Sequence, residues 1–116
     1  MPSRNPAQRL KDILDNIDAI RSFVGQGSLE DLVRDLKTRY AVERALEIIS
    51  EASRRLPEEL RNRHPSIDWR ALAGLGNVYR HDYGAIDPQL MWESIERRLE
   101  PLHTIAEQEL RQLLRQ

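Results

Sequence analysis

Cysteine is absent from this chain of 116 residues, and aromatic side chains and long apolar runs are scarce. The lack of cysteine excludes disulfides, thiolate metal sites and a cysteine nucleophile. No apolar run reaches the roughly 18 residues that span a bilayer, and the opening residues MPSRNPAQRL carry no apolar signal core. We therefore expect a cytoplasmic protein that makes no use of a membrane.

The composition is that of an ordered globule, with 40% hydrophobic and 32% charged residues. The length fits one modest core, so residues 1–116 are expected to form a single domain. The net charge of -1 argues against a surface coated for nucleic acid. Residues 54–81, however, hold six arginines against three acids and two of the three histidines. Arginine suits phosphate, although a solvated helix face would show the same bias.

Apolar residues recur at the three- and four-residue spacings of helices. The stripe of a first helix, which should end at the Gly25-Gln26-Gly27 break, consists of Leu10, Ile13, Leu14, Ile17, Ile20 and Val24. A second, long helix is predicted from an N-cap at Ser28 up to Pro57. The stripe of this second helix consists of Leu29, Leu32, Val33, Leu36, Tyr40, Leu46 and Ile49.

Shorter signals define the remaining helices. One helical turn is expected at 58–61, and Asp68 can cap a helix that begins at Trp69 and frays near His81. The pair Asp87-Pro88 is a favoured helix start, and Pro101 should kink or split the helix that follows. No strand-like alternation of useful length occurs. The pattern predicts an all-α fold, an up-down bundle of four to five helices.

One short segment, GNVYRHDYG at 76–84, gathers an imidazole, a guanidinium and two phenols. The chain has no glycine-rich phosphate loop, no His-Glu-x-x-His and no serine elbow. Its three histidines lie far apart in sequence, so we expect neither a metal site nor a cofactor. His64, beside Pro65, is expected to be a solvated loop residue. The segment at 76–84 is therefore the candidate site.

Two stretches of the chain resemble HepT-like HEPN proteins. One spans 39–53 (RYAVERALEIISEAS) and continues as RRLP; the other spans 67–77 (IDWRALAGLGN) and leads into RHDY at 80–83. The resemblance covers nearly the whole chain. It implies a HEPN-type helical bundle that forms a homodimer through its central helices. It also implies a toxin of a toxin–antitoxin pair, because many family members are metal-independent ribonucleases neutralised by an MntA-type nucleotidyltransferase antitoxin.

The family's signature is an arginine, four intervening residues, a histidine, any residue and a tyrosine. His81 and Tyr83 match its second half, whereas the arginine position is Gly76, followed by Asn77. Asn77, four residues before His81, shares its helix face. Arg80 is the nearest guanidinium in sequence, but one helical residue turns by about 100°. Arg80 and His81 could therefore serve one phosphate only if the backbone unwinds or a partner chain presents the arginine.

The residue types suit cleavage of RNA without a metal. Histidine titrates near neutral pH and can take the proton of a ribose 2′-hydroxyl, while arginine holds two phosphate oxygens at once. We expect His81 to be the base, Arg80 to contact the phosphate and Asn77 to orient either group. The predicted rim that follows the substrate phosphates consists of Arg54, Arg55 and Arg70.

In the resemblance, Tyr83 corresponds to the tyrosine that the nucleotidyltransferase modifies with AMP. The added phosphate would place negative charge where substrate phosphate should sit. One possible function is a ribonuclease toxin of such a type VII system. Another is a binding module that lost nuclease activity with the arginine at Gly76 but still partners a nucleotidyltransferase; a scaffolding bundle is the third. His81 could instead cap a helix, and Tyr83 could be a core aromatic.

Overall fold

The computed structural model describes the backbone of residues 5–81 and 87–116 and the side chains of residues 5–75 and 87–116. Within these ranges the chain forms seven helices and no strand. In chain order they are α1 (Pro6–Val24), α2 (Leu29–Arg34), α3 (Leu36–Arg54), α4 (Glu58–Asn62), α5 (Trp69–His81), α6 (Pro88–Arg97) and α7 (Leu99–Leu114). The predicted all-α class is confirmed, and the predicted count of four to five helices was too low.

α1 begins and ends at local sequence signals. The Asn5 side chain accepts a hydrogen bond from the Ala7 N–H at 3.0 Å, and Pro6 occupies the first turn, where a missing N–H breaks no helical bond. At the other end Gly25 has a φ of 57°, a value that favours glycine, and its N–H donates to the Arg21 carbonyl. α1 therefore ends at the Gly25-Gln26-Gly27 break, as predicted.

The second predicted helix is interrupted at Asp35, so the expectation of one long helix was wrong. α2 ends at Arg34, and Asp35 is extended, with φ -100° and ψ 96°. The Asp35 carboxylate accepts hydrogen bonds from the Lys37 N–H at 3.1 Å and from the Thr38 hydroxyl at 2.7 Å. The bonds from Thr38 are the main cause that lowers the pKa of Asp35. An aspartate that binds the backbone ahead of it ends one helix and caps the next.

Only part of the predicted second stripe is buried. Leu46 and Ile49 of the predicted stripe have no exposed surface, as expected. Val33, Leu36 and Tyr40, by contrast, are 50%, 46% and 58% exposed. Leu36 and Tyr40 belong to α3 and lie about 140° and 180° around it from Ile49, and Val33 lies on α2 before the turn, so these three residues do not belong to the core.

The last predicted helix is split, as Pro101 suggested. α6 starts at the predicted Asp87-Pro88 pair and ends at Arg97, and α7 begins at Leu99. A proline ring clashes with the carbonyl four residues earlier, which here is that of Arg97. The chain therefore restarts its helix just after Arg97, and the proline lies in the first turn of α7.

The main core lies between α1, α3, α5 and α7. α1 packs against α3 and α7, α3 packs against α5, and α2 and α6 contact each other at the edge. The hydrophobic side chains without exposed surface are Ile13, Ile17, Ile20, Val42, Leu46, Ile49 and Met91. None of the helices in the described ranges is both long and apolar enough to cross a bilayer. α3 is thus the central element, and α5 lies along its side.

Candidate functional site

α5 carries the sequence motif, and hydrogen bonds fix its start. The Asp68 carboxylate accepts from the Ala71 N–H at 3.0 Å, which confirms Asp68 as the cap. The Trp69 indole N–H lies 3.0 Å from the Arg61 carbonyl and 3.1 Å from the His64 carbonyl, so it donates to both. The first carbonyl belongs to α4 and the second to the loop that follows it. The indole therefore ties α4 and the following loop to the first turn of α5.

α5 has one side on the core and one side that is open. The Ser50 hydroxyl of α3 donates to the Ala73 carbonyl at 3.1 Å. Leu72 is 1% exposed, and the partly buried Leu75 packs against the same core. At Gly74, by contrast, an added Cβ would meet no atom within 4 Å. The described residues therefore leave the helix uncovered at Gly74.

Helix periodicity relates this open side to the motif, because the α5 backbone is described through His81. At 100° per residue, position 81 lies about 180° around the helix from the buried Leu72. It lies within about 20° of both Arg70 and Gly74, and within about 40° of Asn77. We call the positions Arg70, Gly74, Asn77 and His81 the α5 stripe. The stripe runs along the side of α5 opposite the core.

The side chains of the predicted catalytic and modified residues lie outside the described part of the chain. The side chains of Asn77, Arg80 and His81 are outside the described residues, and so is Tyr83 altogether. Gly76 has its backbone within α5. The roles assigned to these residues stay predictions.

The arginines of the predicted phosphate rim have different surroundings. Arg55 Nε lies 2.7 Å from Glu51 Oε1, and Arg54 hydrogen-bonds the other oxygen of the same carboxylate. These bonds, the one from Arg55 first, lower the pKa of Glu51. A phosphate would have to compete with Glu51 for both guanidinium groups. The exposed Arg70 guanidinium, on the α5 stripe, has no partner among the described residues.

Sequence reasoning missed an ionic cluster that joins the loop after α4 to α7. The Glu109 side chain is only 7% exposed, and its carboxylate accepts from Arg63 Nη2 at 2.7 Å and Arg63 Nε at 3.3 Å. His64 Nε2 lies 2.6 Å from Glu109 Oε2. We call these three residues the Glu109 cluster. The His64 side chain is 17% exposed, so the expectation of a solvated loop residue was wrong.

One signal for this cluster was present in the sequence. Glu109 follows the buried Leu102 by seven residues and the buried Ala106 by three, which places a carboxylate in the apolar register of α7. Such a group needs a charged or polar partner. The Arg63 hydrogen bonds lower the pKa of Glu109 and His64 adds to the effect, whereas burial opposes it. The sequence did not indicate which partner the carboxylate would find.

The Glu109 cluster is organised for structure rather than for chemistry. It borders a surface hollow of about 440 Å³ on α7, but its carboxylate is already bonded to the guanidinium and the imidazole. No three His, Asp or Glu side chains of the described part come close enough together to hold a metal ion. The α5 stripe, with its open side and an arginine that has no partner in the described part of the chain, is the better candidate for binding an anionic ligand.

The fold and the candidate site together define a small all-helical protein, in which the open side of α5 carries the His81 position. The family described as Ribonuclease HepT-like matches residues 13–109 of the chain. This protein belongs to the HepT-like ribonuclease family.

Several relatives support this assignment. A protein of Thermococcus cleftensis named "Probable ribonuclease HepT" is 37% identical over 93 residues, which cover 80% of this chain and 84% of that protein. A protein of Methanocaldococcus jannaschii named "Putative RNase" is 34% identical over 95 residues, covering 82% and 78% of the two chains. One of Caldanaerobacter subterraneus with the same description is 32% identical over 99 residues, covering 85% and 88%. No solved structure gives a significant match.

Proposed function

We propose that this chain is a metal-independent RNA endonuclease and the toxin of a nucleotidyltransferase-paired toxin–antitoxin system. The observation that carries the proposal is the likeness, over at least 80% of the chain, to proteins named as ribonucleases. The α5 stripe supports it, since Arg70 and the His81 position share a helix side that is uncovered at Gly74. A cation and a titratable base on one open face suit a phosphodiester substrate.

In the proposed reaction His81 is the general base. Its neutral imidazole takes the proton of a ribose 2′-hydroxyl, and the 2′ oxygen forms a bond to the adjacent phosphorus. The bond between phosphorus and the 5′ oxygen breaks, and that oxygen takes up a proton from an imidazolium or from water. The products are a 2′,3′-cyclic phosphate and a 5′-hydroxyl. DNA lacks the attacking hydroxyl and would not be cut.

A guanidinium would neutralise the charge that builds up on the phosphorane. Arg80 lies about 100° around the helix from His81, so the two do not share a face within one chain. A homodimer through the central helices would solve this, because a two-fold axis could bring Arg80 of one copy to His81 of the other. Asn77 would orient either group. The open side of α5 at Gly74 offers room for that second copy.

An MntA-type nucleotidyltransferase would act as the antitoxin through Tyr83. The phenol oxygen would attack the α-phosphorus of ATP, pyrophosphate would leave, and the phenol proton would pass to solvent. The tyrosine would then carry AMP two residues from His81. Its negative charge would repel the substrate phosphate and inhibit cleavage.

The test is incubation of the purified chain with cellular RNA in the presence of a chelator. We expect fragments with 2′,3′-cyclic phosphate ends, and a loss of rate of about a hundredfold or more in His81→Ala, because a general base contributes at least that much. His103→Ala is the matched control, since the His103 ring hydrogen-bonds Asp18 at 3.2 Å and belongs to α7. Equal cleavage by the native chain and His81→Ala would refute the proposal.

Gly76 favours a second candidate function, because it occupies the position where the family has arginine. In that case the chain would be a binding module that partners a nucleotidyltransferase without cutting RNA. The native chain would then leave RNA intact and still form a complex with the nucleotidyltransferase. Gly76→Arg would distinguish the two, since cleavage gained only in that variant would support the binding module.

A further inference from the structure

A cleft between α5 and α6 lies beside the α5 stripe. It has a volume of about 140 Å³, and its apolar floor is formed by Ala71 and Leu75 of α5 and by Leu90 of α6. Leu90 is 44% exposed, so apolar surface is open to solvent there. The polar side chains around the floor are Glu93, Ser94, Arg97 and Arg98. An apolar slot with a charged rim suits a planar, partly polar ligand.

The two arginines of the rim have no partner among the residues that the structure describes. Neither Arg97 nor Arg98 forms an ion pair or a side-chain hydrogen bond with any residue of the described ranges. Both also line a second hollow of about 110 Å³, which extends past Asp68 to Pro101. The Asp68 carboxylate is already engaged by the Ala71 N–H. Two guanidinium groups at one edge, neither of them paired with a carboxylate of the described residues, are an arrangement that suits phosphate.

The cleft lies at a fixed place relative to the motif. Ala71 and Leu75 lie about 80° and 120° around α5 from position 81 and about 15 Å and 9 Å before it along the axis. A nucleic-acid strand with one phosphate at the motif can therefore reach the cleft with a nucleotide one or two positions further along.

Apart from the two arginines, the polar groups of the cleft are acceptors. The Ser94 hydroxyl donates its proton to the Leu90 carbonyl at 3.0 Å, so only its lone pairs remain for a ligand. The Glu93 carboxylate makes no hydrogen bond or ion pair with a described residue, and it can only accept. Two acceptors suit a base with an exocyclic amino group, such as cytosine, better than uracil, which presents a carbonyl there.

We propose that the α5–α6 cleft is a nucleotide-binding subsite for the RNA strand, with the base on the apolar floor, its amino group on Glu93 and its phosphate on Arg97 and Arg98. This inference rests on the proposed ribonuclease function and deepens it. The subsite would give the chain a preference for bases with an amino group next to the cleaved bond.

The test of the subsite is direct binding of single-stranded 2′-O-methyl RNA, which the reaction above cannot cleave. We expect the double variant Arg97→Ala and Arg98→Ala to bind oligocytidylate at least tenfold more weakly. The slope of log affinity against log salt should fall by about 0.7, since the two arginines share one phosphate and each single-strand phosphate contributes about 0.7. Arg111→Ala is the matched control, because Arg111 is an exposed arginine of α7 without an ion pair in the described part.

Base preference supplies a second, independent readout. The native chain should bind 2′-O-methyl oligocytidylate at least about fivefold more tightly than oligouridylate of the same length, and Glu93→Ala should abolish the difference. Glu93 is exposed, so this variant is expected to fold. Melting curves followed by circular dichroism check folding for every variant.

The two proposals fail in different experiments. Absence of cleavage by the native chain overturns the ribonuclease function, while binding of uncleavable RNA still tests the cleft. Equal binding and equal salt slopes for the native chain and the double arginine variant overturn the subsite, even if the native chain cuts RNA. A loss of affinity as large in Arg111→Ala overturns it as well, because the effect would then come from net charge alone.

Discussion

Replacement of Glu109 by glutamine tests whether the Glu109 cluster holds α7 to the loop after α4. The carboxylate accepts two hydrogen bonds from Arg63 and lies 2.6 Å from His64 Nε2. Glutamine keeps the shape and one acceptor oxygen, but it replaces the second oxygen by an N–H donor. That donor would face the guanidinium or the ring.

The expected cost follows from the charges and the exposure. Hydrogen bonds to charged groups contribute about 1.5–3 kcal/mol and neutral ones about 0.5–1.5 kcal/mol. The Arg63 side chain is 51% exposed, so water can solvate it once the carboxylate is gone. Breaking a fully buried ion pair costs roughly 3–5 kcal/mol, and the cost here should be smaller because Arg63 is half exposed. We therefore expect Glu109→Gln to lower the free energy of unfolding by about 2 kcal/mol.

The lowered pKa of Glu109 makes the stabilisation by this residue depend on pH. The pKa of Glu109 in the folded chain is lowered from its ordinary value of 4.5. A depressed carboxyl pKa stabilises the fold fully above the unfolded value, and this stabilisation is lost as the pH falls through the folded value. The difference between native chain and Glu109→Gln should be full at neutral pH and shrink below about pH 4.5.

Urea denaturation followed by tryptophan fluorescence measures the effect, at one fixed protein concentration in case the chain associates. With an m-value of about 2 kcal/mol/M, the midpoint should fall by about 1 M. Glu107→Gln is the control: its side chain is 50% exposed and lies 3.5 Å from His103, so a change within about 0.5 kcal/mol is expected. A Glu109→Gln shift no larger than this control, or one that acid does not reduce, would contradict the reasoning.

Three further substitutions test the fold. Trp69→Phe removes the donor shared by the Arg61 and His64 carbonyls and should cost about 1–2 kcal/mol, measured by urea denaturation with circular dichroism; an unchanged midpoint would sink the assigned role. Gly25→Ala should cost about 1–3 kcal/mol because φ is 57° and ψ is -129°, a conformation that glycine adopts and L side chains resist, even though no atom lies within 4 Å of the new Cβ. Gly74→Ala should instead stabilise by about 0.5–1 kcal/mol, because alanine favours a helix interior and has room there. In thermal melts Gly25→Ala should have a lower melting temperature than the native chain and Gly74→Ala a higher one; shifts of the same sign would contradict the prediction.

Local signals predicted most helix starts and stops. Asp68, Gly25 and the pair Asp87-Pro88 act through atoms within four residues of themselves, so single-sequence reasoning captured them. Asp35 carried the same kind of signal, but our prediction continued one helix through it. The Lys37 and Thr38 N–H groups and the Thr38 hydroxyl donate to the Asp35 carboxylate and fix the break there.

The candidate site was predictable only in part. The phase of α5 follows from periodicity once Leu72 is known to be buried, and the pairing of Arg54 and Arg55 with Glu51 is a three- and four-residue spacing visible in the sequence. The bonds between Arg63 and Glu109 span 46 residues, and no local pattern encodes them. The α5–α6 cleft likewise depends on how two separate helices meet.

His64 has a consequence for how freely this chain can vary. The His64 carbonyl accepts from the Trp69 indole at the start of α5, and any amino acid would supply that oxygen. The contact between His64 and Glu109 of α7, by contrast, needs the imidazole itself. Replacement of the histidine would therefore remove one of the contacts to α7, where Arg63 still bonds Glu109, and would leave the anchor of the motif in place. A substitution at position 64 is therefore expected to disturb the contact with α7 and to spare the start of α5, the helix that carries the proposed chemistry.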